Sequence, residues 1–228
     1  MSVRVPVWVP GFDEVMKDRP PSAAEVVLLA ACRTDGLAWV GEGCPKDTSD
    51  PERAVRAGLI RFLLLGGDEA HRPHPKGVGI HGAWIEGALD FRGCETHLDL
   101  FLHKCLLPER PVFRDRRWAG CTFRAVGRRG CELQRVAVEG NVFLDRGFHA
   151  TATVDLAGSA ITGQLACDGG RFERPEGVAL TAMGATVGAS VFLRGKFHAT
   201  GEVNLVRAAI KGQLACSGGR FERPGAWR

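Results

Sequence analysis

Residues 141–175, NVFLDRGFHATATVDLAGSAITGQLACDGGRFERP, return 49 positions later as residues 190–224, SVFLRGKFHATGEVNLVRAAIKGQLACSGGRFERP. The two stretches align without a gap and match at 23 of 35 positions. A fixed period of this size marks a solenoid, in which each unit buries its apolar face only against the next. A finer cadence runs inside it: Phe123, Phe148, Phe172, Phe197 and Phe221 follow one another at intervals of 25, 24, 25 and 24. Between them lie apolar pairs two apart: Val142/Leu144, Val154/Leu156, Leu165/Cys167, Val178/Leu180, Val191/Leu193, Val203/Leu205 and Leu214/Cys216. Alternation by two is strand chemistry, because successive side chains leave a strand on opposite faces. Glycines and short polar runs separate the pairs too closely for helical crossovers. Two pairs and one phenylalanine then make one coil, as long as the phenylalanine interval, and the expected fold is a right-handed parallel β-helix. Its five phenylalanines form a stacked inner ladder about 4.8 Å per step.

Residues 77–135 follow the scheme less regularly, with Leu98, Leu100 and Leu102 alternating and Trp84–Phe91 resembling Ala137–Leu144. About six coils are expected between 77 and 228. Positions 1–76 read as a helical N-terminal cap. Ser22-Ala-Ala-Glu25 is a capping-box pattern before the apolar run Val26–Cys32. Asp50-Pro51 opens a second predicted helix, with Val55, Leu59, Phe62 and Leu63 on one face and Gly66-Gly67 as its stop. The proline- and histidine-rich stretch 66–76 is the boundary loop. At the other end the last repeat stops at Gly225-Ala-Trp-Arg228, and an open coil there is expected to favour self-association.

The formal charge of +4 is mild and does not by itself call for an anionic partner; the 30 basic residues are mostly arginines. Without an apolar run long enough for a bilayer or a signal-like start, a cytoplasmic protein is expected. The eight cysteines form no CxxC pair, and Cys167 and Cys216 hold equivalent positions where small inward-facing apolar residues are expected.

Chemistry-bearing motifs are few. Gly77-Val-Gly79-Ile-His-Gly82 matches GxGxxG, but a Pro/His loop precedes it and a strand pattern follows, so turn glycines are expected instead of a dinucleotide site. His71, His74 and His81 lack the spacing and element of a metal centre and read as solvated loop residues. Glycoside hydrolysis needs two carboxylates on neighbouring coils. Yet Asp145, Asp155 and Asp168 are replaced one repeat later by Arg194, Asn204 and Ser217, which leaves Asp90 and Glu95 as candidates that nothing in the sequence singles out. The densest charge lies between 110 and 135. Arg110, Arg114, Arg116, Arg117, Arg124, Arg128, Arg129 and Arg135 stand there against Glu109, Asp115 and Glu132. Such a cluster suits an acidic protein surface, nucleic acid or anionic lipid.

The runs Arg61–Glu69, Ala160–Phe172 and Val191–Phe197 resemble a bacterial repeat family, some of whose members carry the label membrane-associated oxidoreductase. The resemblance covers about 61–228 and implies a right-handed, pentapeptide-like β-helix. It brings no catalytic residues. The functional expectation is a non-enzymatic scaffold or interaction module without cofactor or metal, whose partner is a protein. Arg114, Arg116, Arg117, Arg128 and Arg129 are its candidate binding residues. The alternatives are a carbohydrate-active enzyme, and nucleic-acid or membrane contact through the arginines.

Overall fold

The structure is a computed structural model and describes residues 10–114, 117–118, 121–127 and 130–223, with 121–127 as backbone alone. It is mainly β, a parallel solenoid of about six turns preceded by short helices. The later coils carry four strand positions where the sequence suggested two and a phenylalanine corner. The coil that starts at Val142 shows them: Val142–Phe143, His149–Ala150, Val154–Asp155 and Ala160–Ile161. Each pairs in parallel with its counterpart in the next coil, at Leu165, Arg171, Leu180 and Thr186 respectively. Parallel register turns the alternation by two into continuous rows. One runs Val78, Leu100, Cys121, Val142, Leu165, Val191, Leu214.

Register also explains why the period spans two coils. Val142 pairs with Leu165, Leu165 with Val191, and Val191 with Leu214, so a shorter coil (142–164) is followed by a longer one (165–190) and then by a shorter one again (191–213). The extra length sits in the strand Arg171–Thr181, whose pairing slips between Glu173 and Val178 and again before Leu180. There the sequence reading needs correction. Val154 is paired with Leu180, so Val178 belongs to the bulge and the inward pair is Leu180 with Ala182, both buried.

The ring ladder is kept across this alternation. Ring centroids of Phe148, Phe172, Phe197 and Phe221 are each 5.2 Å from the next. Their backbones are not in register, since Phe172 is paired with Ala150 below and Ala199 above. Gly170 lets the Phe172 ring swing back: a Cβ there would lie 2.5 Å from the Leu144 carbonyl oxygen and 2.9 Å from the ring itself. The Phe123 side chain lies outside the described residues, and its backbone pairs with Leu102. A second aromatic stack has no regular period to announce it. Phe91 and Phe113 stack at 5.4 Å with Trp118 edge-on to both, and all three are buried.

Two corners repeat in the left-handed backbone region: Arg135, Gly158, Gly184 and Arg207 at one, Arg146, Gly169, Gly195 and Gly218 at the other. A side chain in that region costs about 1–2 kcal/mol. The exposed Arg146 has φ 40°, while its counterparts are glycine. Arg146→Gly is therefore expected to raise stability by about 0.5–1 kcal/mol in urea denaturation, the relief being partly offset by a freer unfolded chain.

At the N-terminus, helix α1 is Phe12–Met16 and α2 is Ala23–Ala31. Both bonds of the capping box are present: Glu25 N–H donates to Ser22 Oγ at 3.1 Å and Ser22 N–H to Glu25 Oε2 at 2.9 Å. The second predicted helix is interrupted. Asp50 caps only a 3₁₀ turn at Pro51–Arg53, the strand Ala54–Arg56 follows, and α3 occupies Ala57–Leu64. Pairing of Ala54–Arg56 with Trp84–Glu86 outweighs local helix preference. The expected stop holds, with Gly66 and Gly67 at positive φ and Gly67 N–H donating to the Phe62 carbonyl. Ala38–Trp39 likewise pairs with Ile80–His81, so strands from the expected cap lie on the first coil.

Candidate functional site

The outward side chains of the first described strands build a cleft. Parallel pairing sets Gly79 beside Phe101, while Ala38 and Trp39 lie beside Ile80 and His81, which brings Leu37 alongside Gly79. A glycine in an outward row between a leucine and a phenylalanine leaves a gap where a side chain would stand. Leu37 leans over it: a Cβ on Gly79 would meet Leu37 Cδ1 at 2.9 Å and Phe101 Cβ at 3.9 Å. The resulting cleft of about 410 Å³ is lined mainly by apolar atoms, and Thr34, Asp35, Lys76, Asp99 and His103 bring its polar groups. The Lys76 ammonium is paired with Asp35. Burial pushes the Asp99 carboxyl above the ordinary aspartate range, and no hydrogen bond or ion pair from a described residue reaches that carboxyl.

Gly77-Val-Gly79-Ile-His-Gly82 thus serves packing between coils. Gly77 and Gly82 have φ of 95° and 80° and press against the backbones of Asp99 and Gly41, and Gly79 forms the cleft floor. Next to it runs a row of rings. Trp39 stacks on His81 at 3.8 Å with planes 7° apart, and His103 meets His81 edge-on at 4.8 Å. His81 Nδ1 is 2.7 Å from the Gly41 carbonyl oxygen and the residue is 1% exposed, while Trp39 is 52% exposed. The expectation of three solvated histidines therefore fails at His81. His71 pairs with Asp68 at 2.8 Å and stacks on Phe12, and His74 caps the Lys76 amide, so the three do not converge. Among the described residues no group of three or more His, Cys, Asp or Glu is placed to hold a metal ion.

The arginine-rich stretch is largely tied down where it is described. Arg110 and Arg114 converge on Glu132, Arg114 also reaches Gln134, and Arg117 lies 3.6 Å from Glu139. Arg116, Arg128 and Arg129, and the side chain of Arg124, lie outside the described residues. The carboxylates considered for glycoside chemistry are engaged elsewhere: Asp155 accepts from the Ala157 amide and Gln134, Asp168 pairs with Arg194 at 3.2 Å, and Asp90 with Arg92. Asp145 is buried. An outward charged row repeats with the coils instead. His149, Arg171, His198 and Arg220 are in register; Glu173 takes both His149 and Arg171, and Glu222 takes His198 and Arg220. The His149 hydrogen bond leads the interactions that hold the Glu173 carboxyl below its ordinary range.

Seven cysteines have described side chains and all are free thiols. Cys167 is buried as expected and burial pushes its thiol up; Cys105 and Cys131 are pushed up to about 12 by the same cause. Cys216, in the last described coil, is exposed. Among the described residues no helix is long and apolar enough to cross a membrane. Compared with protein-family models, curated proteins and solved structures, the chain finds no match.

Proposed function

We propose that this chain is a non-catalytic interaction module of the pentapeptide-like β-helix type, working in the cytoplasm and presenting the Trp39–His81–His103 row to a partner protein. The observation that carries the reading is the Trp39 stack. A tryptophan that is half exposed yet held flat on a buried, hydrogen-bonded histidine is ordered before it binds and loses little freedom on contact. Exposed Leu37 and Phe101 flank it, whereas the described arginines of 110–135 include three paired with neighbouring acids. Three pairings of one earlier turn support the pentapeptide-like assignment. Leu106 pairs with Val126, Val112 with Glu132 and Arg117 with Ala137, and each of these steps equals four pentapeptides per turn. Free thiols suit a reducing compartment.

The test is affinity capture from a cell lysate, followed by affinity measurement with the purified partner. Trp39→Ala is expected to weaken binding at least about tenfold, as loss of an aromatic hot spot does. Arg114→Ser with Arg117→Ser is expected to leave it within about twofold, with shallow salt dependence. Unchanged binding by Trp39→Ala, with loss in the arginine variant and a steep fall with salt, would overturn the reading in favour of nucleic acid or anionic lipid.

A further inference from the structure

The cleft beside the tryptophan row has a property that packing between coils does not require. Its walls are apolar, Leu37 and Phe101 on either side of Gly79, yet half-buried Asp99, two before Phe101 and alternating with the inward Leu100, belongs to its lining, and its carboxylate has no partner among the described residues. The cation of the lining, Lys76, is already matched by Asp35 at the rim. A half-buried carboxylate in an apolar surround lacks the solvation it would have in water, and a cation brought to it restores that loss. An anionic ligand would be repelled there, and a neutral one would bury the charge further. The volume of about 410 Å³ falls within the range of small-molecule sites, about 300–1,000 Å³.

We propose that this cleft is a binding site for a small organic cation, a primary ammonium on an apolar stem, with Asp99 as counter-ion and Leu37 and Phe101 as walls. The stem lies in the gap left by Gly79, and the partly exposed Phe101 ring offers a face for cation–π contact. The site goes beyond the partner-protein reading, because neither its occupant nor Asp99 depends on the Trp39 row.

The experiment is calorimetric titration of the full chain with three probes sharing one body: phenethylammonium, phenethyl alcohol and 3-phenylpropionate. Phenethylammonium is expected to bind with saturation. The alcohol is expected to be at least about tenfold weaker, the value of a lost charge-assisted contact, and the carboxylate weaker still. Asp99→Asn, nearly isosteric, should bring the ammonium down to the level of the alcohol. Gly79→Val, which fills the floor, should abolish binding of both. Trp39→Ala should leave phenethylammonium unaffected, which separates this site from the protein-binding surface. Equal affinity for the alcohol, no effect of Asp99→Asn, or no saturable binding by phenethylammonium would each overturn the proposal. Should Gly79→Val fold poorly, the three probes against wild type and Asp99→Asn decide the matter alone.

Discussion

Phe172→Ala is expected to lower the unfolding free energy by about 3–5 kcal/mol, the range for truncating a fully buried aromatic ring. The residue is 0% exposed and its ring has a phenylalanine neighbour 5.2 Å away on each side. Truncation removes both aromatic contacts and opens a cavity that cannot collapse, because the flanking backbones are fixed by strand pairing to Ala150 and Ala199. Phe221, the last described ring of the ladder, is 46% exposed and has one described ring neighbour. Phe221→Ala should therefore cost only about 1–2 kcal/mol. Urea denaturation of both variants checks the pair. A loss below about 1 kcal/mol at Phe172, or equal losses at the two sites, would contradict a ladder that bears on stability.

Glu25→Gln should be nearly as costly, about 3–5 kcal/mol, through a different cause. The Glu25 side chain is fully buried and binds Arg56 Nε at 2.8 Å, the Arg56 guanidinium again at 2.7 Å, and Arg19 at 3.0 Å. It also takes backbone amides of Ser22 and Arg56, both at 2.9 Å. Arg56 in turn donates to the carbonyls of Val15, Arg19 and Pro20, so one carboxylate holds α1, α2 and the first-coil strand Ala54–Arg56 together. Burial alone would raise the carboxyl's pKa; the Arg56 hydrogen bonds lead the interactions that outweigh it and hold the group below the ordinary glutamate range. A lowered folded-state pKa stabilises the native protein fully above the unfolded value of about 4.3 and loses that contribution as pH falls through the folded value. The stability of wild type should thus drop below about pH 4 more steeply than that of Glu25→Gln. Parallel acid profiles for the two proteins would show that the carboxylate carries no such linkage.

Much of the solenoid was legible because stacking in register writes itself into the sequence as a period. Val142, Leu165 and Val191 are buried at one position of successive coils, and each is apolar for that reason. What hid the alternation of coil lengths was Val178, an apolar residue two before Leu180 that sits in a bulge and mimics an inward position. Local signals at 50–64 spell one helix, since nothing nearby reveals that Ala54–Arg56 will pair with Trp84–Glu86, far along the chain. The Phe91–Phe113–Trp118 cluster belongs to the earlier, shorter coils. The step from Phe91 to Phe113 is smaller than any in the cadence from Phe123 to Phe221, so the two aromatic stacks share no common period.

The candidate cleft was less legible still. Leu37, Gly79, Asp99 and Phe101 come from three segments distant in the chain and share no motif; Gly79 stands out in the sequence only as part of GxGxxG. The arginine cluster was conspicuous for the opposite reason. Composition shows charge, but not that Glu132 receives Arg110 and Arg114 from the preceding coil. Pairing between coils turns a run of like charges into mixed rows, and the same happens to His149, Arg171 and Glu173.

The measurement that tests the two-coil repeat most directly is a proton nuclear Overhauser spectrum of the four ladder phenylalanines with selectively labelled rings. Two coils per repeat, 142–164 and 165–190, predict cross-peaks from Phe172 to both Phe148 and Phe197 and from Phe197 to Phe221. They predict none between Phe148 and Phe197, which are two coil steps, about 10 Å, apart. A direct Phe148–Phe197 contact without Phe172 between them would make the whole repeat a single coil and contradict the account.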